Sequence, residues 1–338
     1  MTLCSYLLPL RRTRFCATEA QAWVEYFTML GAEGCEVIVV DGSPPAVFSE
    51  HGSVFGETCR HVAVDRRFGY LNDKVNGIHT GFELAGSEKV IVADDDIRYS
   101  IENVRQVCAL LDEYEVVRPQ NFLRPLPWWA LMETSRMLIN RALLRAADYP
   151  GTCAFRRETF ARAGHYDGNV LFDNEEMLRH FAAFGASIAY AQDLFIEKRA
   201  PTLRKWFEQR PRQAYEDFPL RAKSGFFFAL LPIFILIALF GGGRAIFAAF
   251  SFVTLASILL ALWGRARGRA TKHFPIRCAF FAPLWVSERT LSTYWAAWWR
   301  VMRGGYPFGD QLLSRGVGRA WQEGGKIAVA HVLLENRD

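Results

Sequence analysis

Three consecutive carboxylates, Asp94, Asp95 and Asp96, directly follow the apolar run Val90–Ala93. The apolar run predicts a buried strand, which would deliver the carboxylates to the edge of a sheet. Asp94 and Asp96 are two residues apart, so an extended backbone would point both to the same side. Three adjacent carboxylates must be solvated, protonated, or neutralised by a cation or by basic side chains. The run therefore indicates a divalent-cation site, or else a solvated acidic turn.

A second short, β-branched run, Val37–Val40, also ends in an acid, Asp41, followed by turn formers. Such runs are typical of central strands in parallel sheets. Because the carboxyl ends of parallel strands meet at one edge of a sheet, the two acidic strand ends predict a shared ligand there.

The elements around these acids alternate between strand and helix patterns. Thr2–Leu8 predicts a first strand closed by Pro9, and apolar residues with helical spacing predict a helix over Thr18–Leu30. A further helix is predicted over Lys74–Ala85, before the acidic strand. This alternation predicts an α/β fold with a mostly parallel sheet.

The motifs of this region resemble, in their order, those of the family 2 glycosyltransferases, which have a GT-A fold. They are the first strand with Pro9, Val40–Ser43, Asn72–Lys74 and Asp94–Asp96. The resemblance implies a Rossmann-like nucleotide-diphospho-sugar transferase domain over residues 1–220. Asp41 would contact the base and ribose of the donor, and Lys74 would lie near its diphosphate. The implied donor-binding residues are Pro9, Asp41, Ser43, Lys74, Asp94, Asp95 and Gln209.

Asp94 and Asp96 match the DxD element of that family, which holds Mg²⁺ or Mn²⁺ against the diphosphate. A hard cation prefers oxygen ligands and offsets the charge that builds on the leaving nucleotide. The resemblance therefore implies a metal-dependent enzyme with Asp94 and Asp96 as metal ligands.

The segment Leu171–Arg179 is similar to the Glu-Asp pair that supplies the family's catalytic base, but Asn174 stands where the Asp is expected. An amide does not accept a proton from a hydroxyl at neutral pH. Asp173, Glu175 or Glu176 would then be the base, and we favour Asp173. Equally, Asp173 could be a helix N-cap, and the two Glu residues could be first-turn acids that favour the helix dipole.

Gln209–Gln213 resembles in part the family's QxxRW element, with Gln213 in place of the Trp. The resemblance implies that Arg212 stabilises the departing diphosphate, a role that suits a guanidinium. Alternatively, the basic residues here form a juxtamembrane cluster for anionic headgroups. These are Arg204, Lys205, Arg210, Arg212, Arg221 and Lys223.

Two charge-free apolar runs, Gly225–Phe240 and Ala245–Trp263, flank Gly241–Arg244. They predict a transmembrane hairpin with helices at about 225–243 and 245–263, in a membrane-anchoring region 221–338. Both outer ends are basic, so the positive-inside rule places the catalytic domain in the cytoplasm, at the inner membrane. Residues 279–302 predict an interfacial amphipathic helix or a third span, followed by a cytosolic tail.

Composition and missing motifs argue against several classes of protein. The chain has 338 residues, of which 51% are hydrophobic, and a net charge of +5. Its seven scattered cysteines form no CxxC pair and its histidines no HExxH, so we expect reduced thiols, no zinc and no zinc hydrolase. No nucleic-acid motif is present. The absence of GxGxxG after the first strand argues against a dehydrogenase.

The sequence thus predicts an inverting, metal-dependent glycosyltransferase. It would move a sugar from a nucleotide-diphosphate donor to a hydroxyl of a lipid-linked or cell-envelope glycan acceptor, in contact with membrane lipids. The alternative is a non-catalytic membrane protein that binds nucleotide sugar or scaffolds a partner, because Asn174 and Gln213 depart from the family pattern. The sequence does not reveal the sugar, the nucleotide or the acceptor, nor whether addition is processive.

Overall fold

A computed structural model describes residues 2–144, 151–308, 311–316 and 318. These residues fall into two compact units. The first contains 2–120, 151–196 and 318, and the second contains 121–144, 197–308 and 311–316. Residue 220, where the sequence predicts a domain boundary, lies within the second unit.

The main sheet has eight strands in the order β3-β2-β1-β4-β7-β6-β8-β5 within the described part of the chain. The first four of these pair in parallel, whereas β7 runs antiparallel to both β4 and β6. The strands are β1 (Cys4–Leu10), β2 (Cys35–Asp41), β3 (Arg60–Ala63), β4 (Lys89–Ala93), β5 (Ile97–Arg98), β6 (Val116–Arg124), β7 (Thr152–Arg156) and β8 (Ile188–Arg199). A separate antiparallel pair follows, β9 (Tyr306–Phe308) and β10 (Gln311–Leu313).

Ten α-helices are present in the same described ranges. They are α1 (Ala17–Ala32), α2 (Pro45–Phe55), α3 (Asp73–Leu84), α4 (Ile101–Glu113), α5 (Trp128–Leu143), α6 (Arg157–Ala163), α7 (Asp173–Ala183), α8 (Leu203–Glu216), α9 (Arg221–Ala266) and α10 (Ala282–Arg303). Short 3-10 helices cover Ala270–Lys272 and Ile276–Phe281.

Strands β1, β2 and β4 of the first unit are largely buried on both faces. Alternate residues of β1 enter different hydrophobic clusters, with Tyr6 and Leu8 on one face and Leu7 on the other. The first cluster includes side chains of α1, α2 and α4, and the second includes side chains of α3, α6 and α7. This is the mixed α/β fold with a mostly parallel sheet that the alternating pattern predicts.

The first strand differs from its prediction, since it spans Cys4–Leu10 and includes Pro9. Proline normally ends a central strand because it lacks the N–H that a ladder needs. Here β1 pairs with β4 only through Ser5–Leu7 and continues beside β2 alone. The strand therefore reaches Pro9 where it has a partner on one side only, which removes the penalty.

The predicted pair of apolar helices is a single helical element, α9 (Arg221–Ala266). It is interrupted only at Gly242, whose φ of 69° and ψ of −176° are not helical. Of the described helices, α9 alone is long and apolar enough to cross a membrane. Its middle is strongly exposed, for example Phe240 at 85% and Phe252 at 73%, whereas its buried residues lie towards its two ends.

The segment predicted as an interfacial helix or third span, 279–302, forms part of a 3-10 helix and then α10. One side of α10 buries Arg289, and the other exposes Trp295 and Trp298. Most of the predicted cytosolic tail lies outside the described residues.

Candidate functional site

The carboxyl ends of β1, β2 and β4 lie side by side, because β1 pairs in parallel with both other strands. Arg12, just after β1, ties their loops together. Its backbone N–H donates to Ser43 Oγ at 2.9 Å, and its guanidinium bonds Glu19 and Asp95. Burial alone would lower the pKa of Arg12, but these two carboxylates raise it. Sequence reasoning missed this residue.

The acidic run begins where β4 ends, at Ala93. The backbone N–H of Ile97 donates to the carbonyl of Asp94 at 3.0 Å, so residues 94–97 form a turn. The predicted extended geometry, with Asp94 and Asp96 on the same side of a strand, is therefore wrong. The turn aims the side chains differently: Asp95 pairs with Arg12 and Asp94 pairs with Lys74.

Lys74 lies in the first turn of α3. Asn72 caps this helix, because its side-chain oxygen accepts a hydrogen bond from the backbone N–H of Lys74 at 3.2 Å. The Lys74 ammonium contacts both Asp94 and, at 2.6 Å, Asp173 Oδ2. Burial alone would lower the pKa of Lys74, but Asp173 and Asp94 outweigh it and raise the pKa. Three residues that the sequence singled out thus form one cluster of alternating charge.

Asp173 is the first residue of α7 and not its N-cap, which is Phe172. The loop before α7 is fixed to the loop before α3, because the Asn72 N–H donates to the Gly168 carbonyl at 3.1 Å. A Cβ on Gly168 would lie 2.6 Å from Tyr70, so this close approach requires glycine. The two helix starts, and with them Lys74 and Asp173, are held together by backbone contacts.

The other two candidate bases have different partners. Glu175 pairs with the buried Arg118. Glu176 accepts a hydrogen bond from the Gly318 backbone N–H at 2.8 Å, and burial raises its pKa. Among Asp173, Glu175 and Glu176, the contacts with the Lys74 and Asp94 cluster are made by Asp173.

Asp41 ends β2 and is 2% exposed. Its Oδ1 accepts from the Ser43 N–H at 2.8 Å, and its Oδ2 lies 2.7 Å from His51 Nδ1 and 3.1 Å from His61 Nε2. Burial alone would raise the pKa of Asp41, but the hydrogen bonds from His61, Ser43 and His51 lower it to about 2. Sequence reasoning did not connect these histidines with Asp41.

In the structure, Pro9 packs against helix α3. A Cβ added to Gly77 of α3 would lie 3.0 Å from Pro9 Cβ, so the strand and the helix are in close contact there. The helix that carries Lys74 is thereby set directly against β1.

Gln209 and Arg212 lie on α8, in the second unit. The Arg212 guanidinium stacks over the Phe308 ring at 4.9 Å. Gln213, at the position expected for Trp, accepts a hydrogen bond from Arg289 at 2.8 Å. The interpretation of Arg210 as a headgroup-binding residue is wrong, since it is 3% exposed and pairs with Glu133 at 2.7 Å.

No protein-family model matches this sequence, and no curated protein sequence matches it. Three solved structures with a similar fold are nucleotide-sugar transferases. The mannosyltransferase PcManGT from Pyrobaculum calidifontis, in complex with GDP-Man and Mn²⁺, is 19% identical, with 86% of each chain covered and a TM-score of 0.48. Mannosyl-3-phosphoglycerate synthase from Rubrobacter xylanophilus is 16% identical, covering 60% of this chain and 69% of that one, with a TM-score of 0.42.

The third is glucosyl-3-phosphoglycerate synthase from Mycobacterium tuberculosis, in complex with Mn²⁺, UDP and phosphoglyceric acid. It is 16% identical, covering 60% of this chain and 72% of that one, with a TM-score of 0.42.

Proposed function

We propose that this chain is a nucleotide-sugar transferase of the family 2 type, whose donor diphosphate binds at the edge of the sheet beside Lys74, Asp94 and Asp96. The observation that carries the proposal is the Lys74 ammonium held between Asp94 and Asp173. A phosphate-binding cation, a metal-binding acid and a carboxylate base are the three groups that sugar transfer from a diphosphate requires.

The acidic turn fits a hard divalent cation, Mg²⁺ or Mn²⁺, held by Asp94 and Asp96. The available donors there are carboxylate oxygens, which such ions prefer. Asp94 already holds a positive charge, the Lys74 ammonium, as a residue of a cation site would. When bound, the ion would offset negative charge on the leaving diphosphate.

Asp173 is the base of the proposed reaction. It takes the proton of the acceptor hydroxyl as the oxygen bonds to the anomeric carbon from the face opposite the diphosphate. The bond from that carbon to the diphosphate oxygen breaks, and its electron pair leaves with the nucleotide, so the configuration inverts. Glu175 and Glu176 pair with Arg118 and with the Gly318 N–H, and not with Lys74, so we assign them structural roles. Lys74 would stabilise the leaving group. The role that the resemblance implies for Arg212, which lies in the second unit, stays a prediction.

The acceptor is proposed to be lipid-linked or part of the cell envelope. A cavity of about 530 Å³ in the second unit is lined by Phe218 and Phe228 together with Arg221 and Arg300. Apolar walls with two guanidinium groups suit a molecule that has a hydrocarbon part and an anionic part. The cavity adjoins the start of α9, the proposed membrane element.

The membrane element is proposed to be a hairpin of two spans that leaves the catalytic unit in the cytoplasm at the inner membrane. A straight helix of 46 residues would be about 69 Å long. Yet Phe227, near its start, packs on Trp285 of α10, and Gly264, near its end, touches the backbone of Leu138 in α5. Because α5 and α10 also contact each other, these contacts support a reversal of the chain near Gly242, where α9 is not helical.

The test is transfer of labelled sugar to a membrane lipid extract by the purified full chain, with a panel of nucleotide sugars and Mn²⁺. We expect Asp173→Asn to lower turnover by at least about 100-fold with little change in donor affinity. Asp94→Asn should instead weaken metal-dependent donor binding. Asp112→Asn is the matched control, because Asp112 is exposed and pairs with Lys89.

Full activity in Asp173→Asn would contradict the assignment of the base. Donor binding by the wild-type chain without transfer to any extract would support instead the non-catalytic alternative, a nucleotide-sugar-binding membrane protein.

A further inference from the structure

We propose that Asp41, His51 and His61 form a second metal site, which binds a zinc-like divalent ion and is separate from the acidic turn. The three residues come from three elements: the end of β2, α2 and β3. One carboxylate oxygen and two imidazole nitrogens face each other there, all within 4.8 Å. Their spacing in the sequence matches no known metal motif, so the sequence alone predicts no zinc site.

Aromatic rings hold both imidazoles in place. His51 stacks on Phe55 with ring centroids 5.3 Å apart and an interplanar angle of 10°. His61 stacks on Phe48 at 4.3 Å and 21°. Each ring therefore keeps one nitrogen directed at Asp41, and a site that needs no rearrangement of its rings binds a metal with less loss of side-chain freedom.

The charge of Asp41 lacks a cationic neighbour. The contacts of its carboxylate are the Ser43 N–H and the two imidazoles, and among the described residues no lysine or arginine touches it. A buried carboxylate is stabilised by hydrogen bonds but more strongly by a positive charge. A divalent ion bonded to Asp41 and to two neutral imidazoles would supply that charge.

The ligand types determine which metal ion this site would prefer. Two imidazoles and one carboxylate form a common ligand set for Zn²⁺, with a fourth position left for water. Ligand atoms around Zn²⁺ lie about 3.3 Å apart, as bonds of about 2.0 Å in a tetrahedron require. The observed distances of 2.7 Å and 3.1 Å from Asp41 Oδ2 would have to increase, by about 0.6 Å and about 0.2 Å, to reach that spacing. The acidic turn, with oxygen donors, selects Mg²⁺ or Mn²⁺ instead.

The site lies beside Ser43, whose hydroxyl bonds the loop after β1. A bound ion would fix the ends of β2 and β3 to α2. It would thus brace this edge of the sheet, and it would occupy Asp41, to which the family resemblance gives contact with the base and ribose of the donor. Metal binding is measured without sugar transfer, so the proposal is tested separately from the transferase function.

The experiment uses the full chain, treated with a chelator and titrated with Co²⁺, whose visible absorption reports coordination by nitrogen and oxygen ligands at a low coordination number. We expect one Co²⁺ per chain, displaced by Zn²⁺ and not by Mg²⁺. His51→Gln and His61→Gln should each weaken Co²⁺ binding at least about tenfold. His165→Gln, which removes an exposed histidine outside the cluster, and Asp94→Asn should leave it unchanged.

A second measurement covers variants that fold poorly: Zn²⁺ should raise the melting temperature of the wild-type chain. The proposal is overturned if the wild type shows neither the Co²⁺ absorption nor the Zn²⁺ shift. It is equally overturned if folded His51→Gln and His61→Gln variants bind Co²⁺ as tightly as the wild type.

Discussion

A single ammonium group joins the two acidic halves of the proposed site. Lys74→Met removes it and leaves Asp94 and Asp173 as neighbouring carboxylates without their common partner. Because the lysine competes with a divalent ion for Asp94, we expect the variant to bind Mn²⁺ about tenfold more tightly in the absence of donor, equivalent to about 1.4 kcal/mol. Sugar transfer should fall, since the charge near the diphosphate is lost.

Electron paramagnetic resonance of free Mn²⁺ measures this affinity directly. Lys89→Met is the control, because Lys89 pairs with Asp112 away from the cluster. Unchanged or weaker Mn²⁺ binding by Lys74→Met would show that the lysine does not compete for the metal ligands.

Buried His79 predicts sensitivity to acid. The residue is fully buried, with Phe68, Tyr70, Phe160, His165 and Tyr166 around its ring. Burial lowers its pKa to about 3 from an ordinary value of 6.5. The unfolded chain therefore binds a proton below pH 6.5 that the folded chain refuses down to about pH 3, so stability falls as the pH falls through this window.

The loss is at most about 1.4 kcal/mol per pH unit. Urea unfolding of the wild type and of His79→Gln at pH 7, 6 and 5 measures it. The difference in the free energy of unfolding, wild type minus variant, should decrease by about 2 kcal/mol from pH 7 to pH 5. A difference that stays constant with pH would rule out this histidine as a source of acid lability.

Which site residues could be predicted from the sequence depends on what each needs. Asp94 and Asp41 could be predicted because each directly follows an apolar run. A position at the carboxyl end of a parallel strand is enough to place such a residue near a ligand. Arg12 becomes a site residue only because β1 lies beside β4, which brings it to Asp95 from 83 positions away. His51 and His61 similarly acquire their role from the packing of α2 and β3 around the end of β2.

At the scale of the elements, buried ion pairs join helices of the second unit. Glu133 of α5 pairs with Arg136 and with Arg210 of α8, each at 2.7 Å. Because both arginines are almost fully buried, Glu133→Gln should remove the anion that the two desolvated guanidinium groups share. We expect the variant to lose about 3–5 kcal/mol of stability, measured as a lower melting temperature in detergent.

The matched control is Glu208→Gln, which breaks an exposed pair with Arg204 and should cost less than about 1 kcal/mol. Equal melting temperatures for the Glu133 and Glu208 variants would show that the buried pairs contribute no net stability.

The buried charges also explain why the sequence pattern does not predict helix α5. Strands β1, β2 and β4 and helix α3 follow simple apolar periods and were predicted within a few residues. Helix α5 contains Glu133, Arg136 and Arg141, all buried, so its pattern does not resemble that of a buried helix. Part of the compensation for this burial comes from distant residues, namely Arg210 of α8 beside Glu133 and the Arg267 carbonyl beside Arg141. The local pattern of α5 does not contain these partners.

At the scale of the whole molecule, the proposed hairpin makes a directional prediction about the membrane. The exposed apolar middle of α9 needs a hydrophobic environment. The proposed reversal near Gly242 would place Arg244 at the tip of the hairpin. With both basic ends in the cytoplasm, the tip faces the other side. We therefore expect opposite accessibility of Arg244 and of the two ends, Lys223 and Arg269.

Single substitutions Lys223→Cys, Arg244→Cys and Arg269→Cys, compared with the wild-type chain as background, test this with a membrane-impermeant maleimide. Labelling above background should appear in intact cells for Arg244→Cys alone, and for the other two only after permeabilisation. If Arg269→Cys reacts from outside while Lys223→Cys does not, α9 crosses the bilayer once as one helix and the hairpin is wrong. If none of the three reacts in intact cells, α9 lies along a surface, and its exposed phenylalanines then mark contact with a single leaflet or a protein partner.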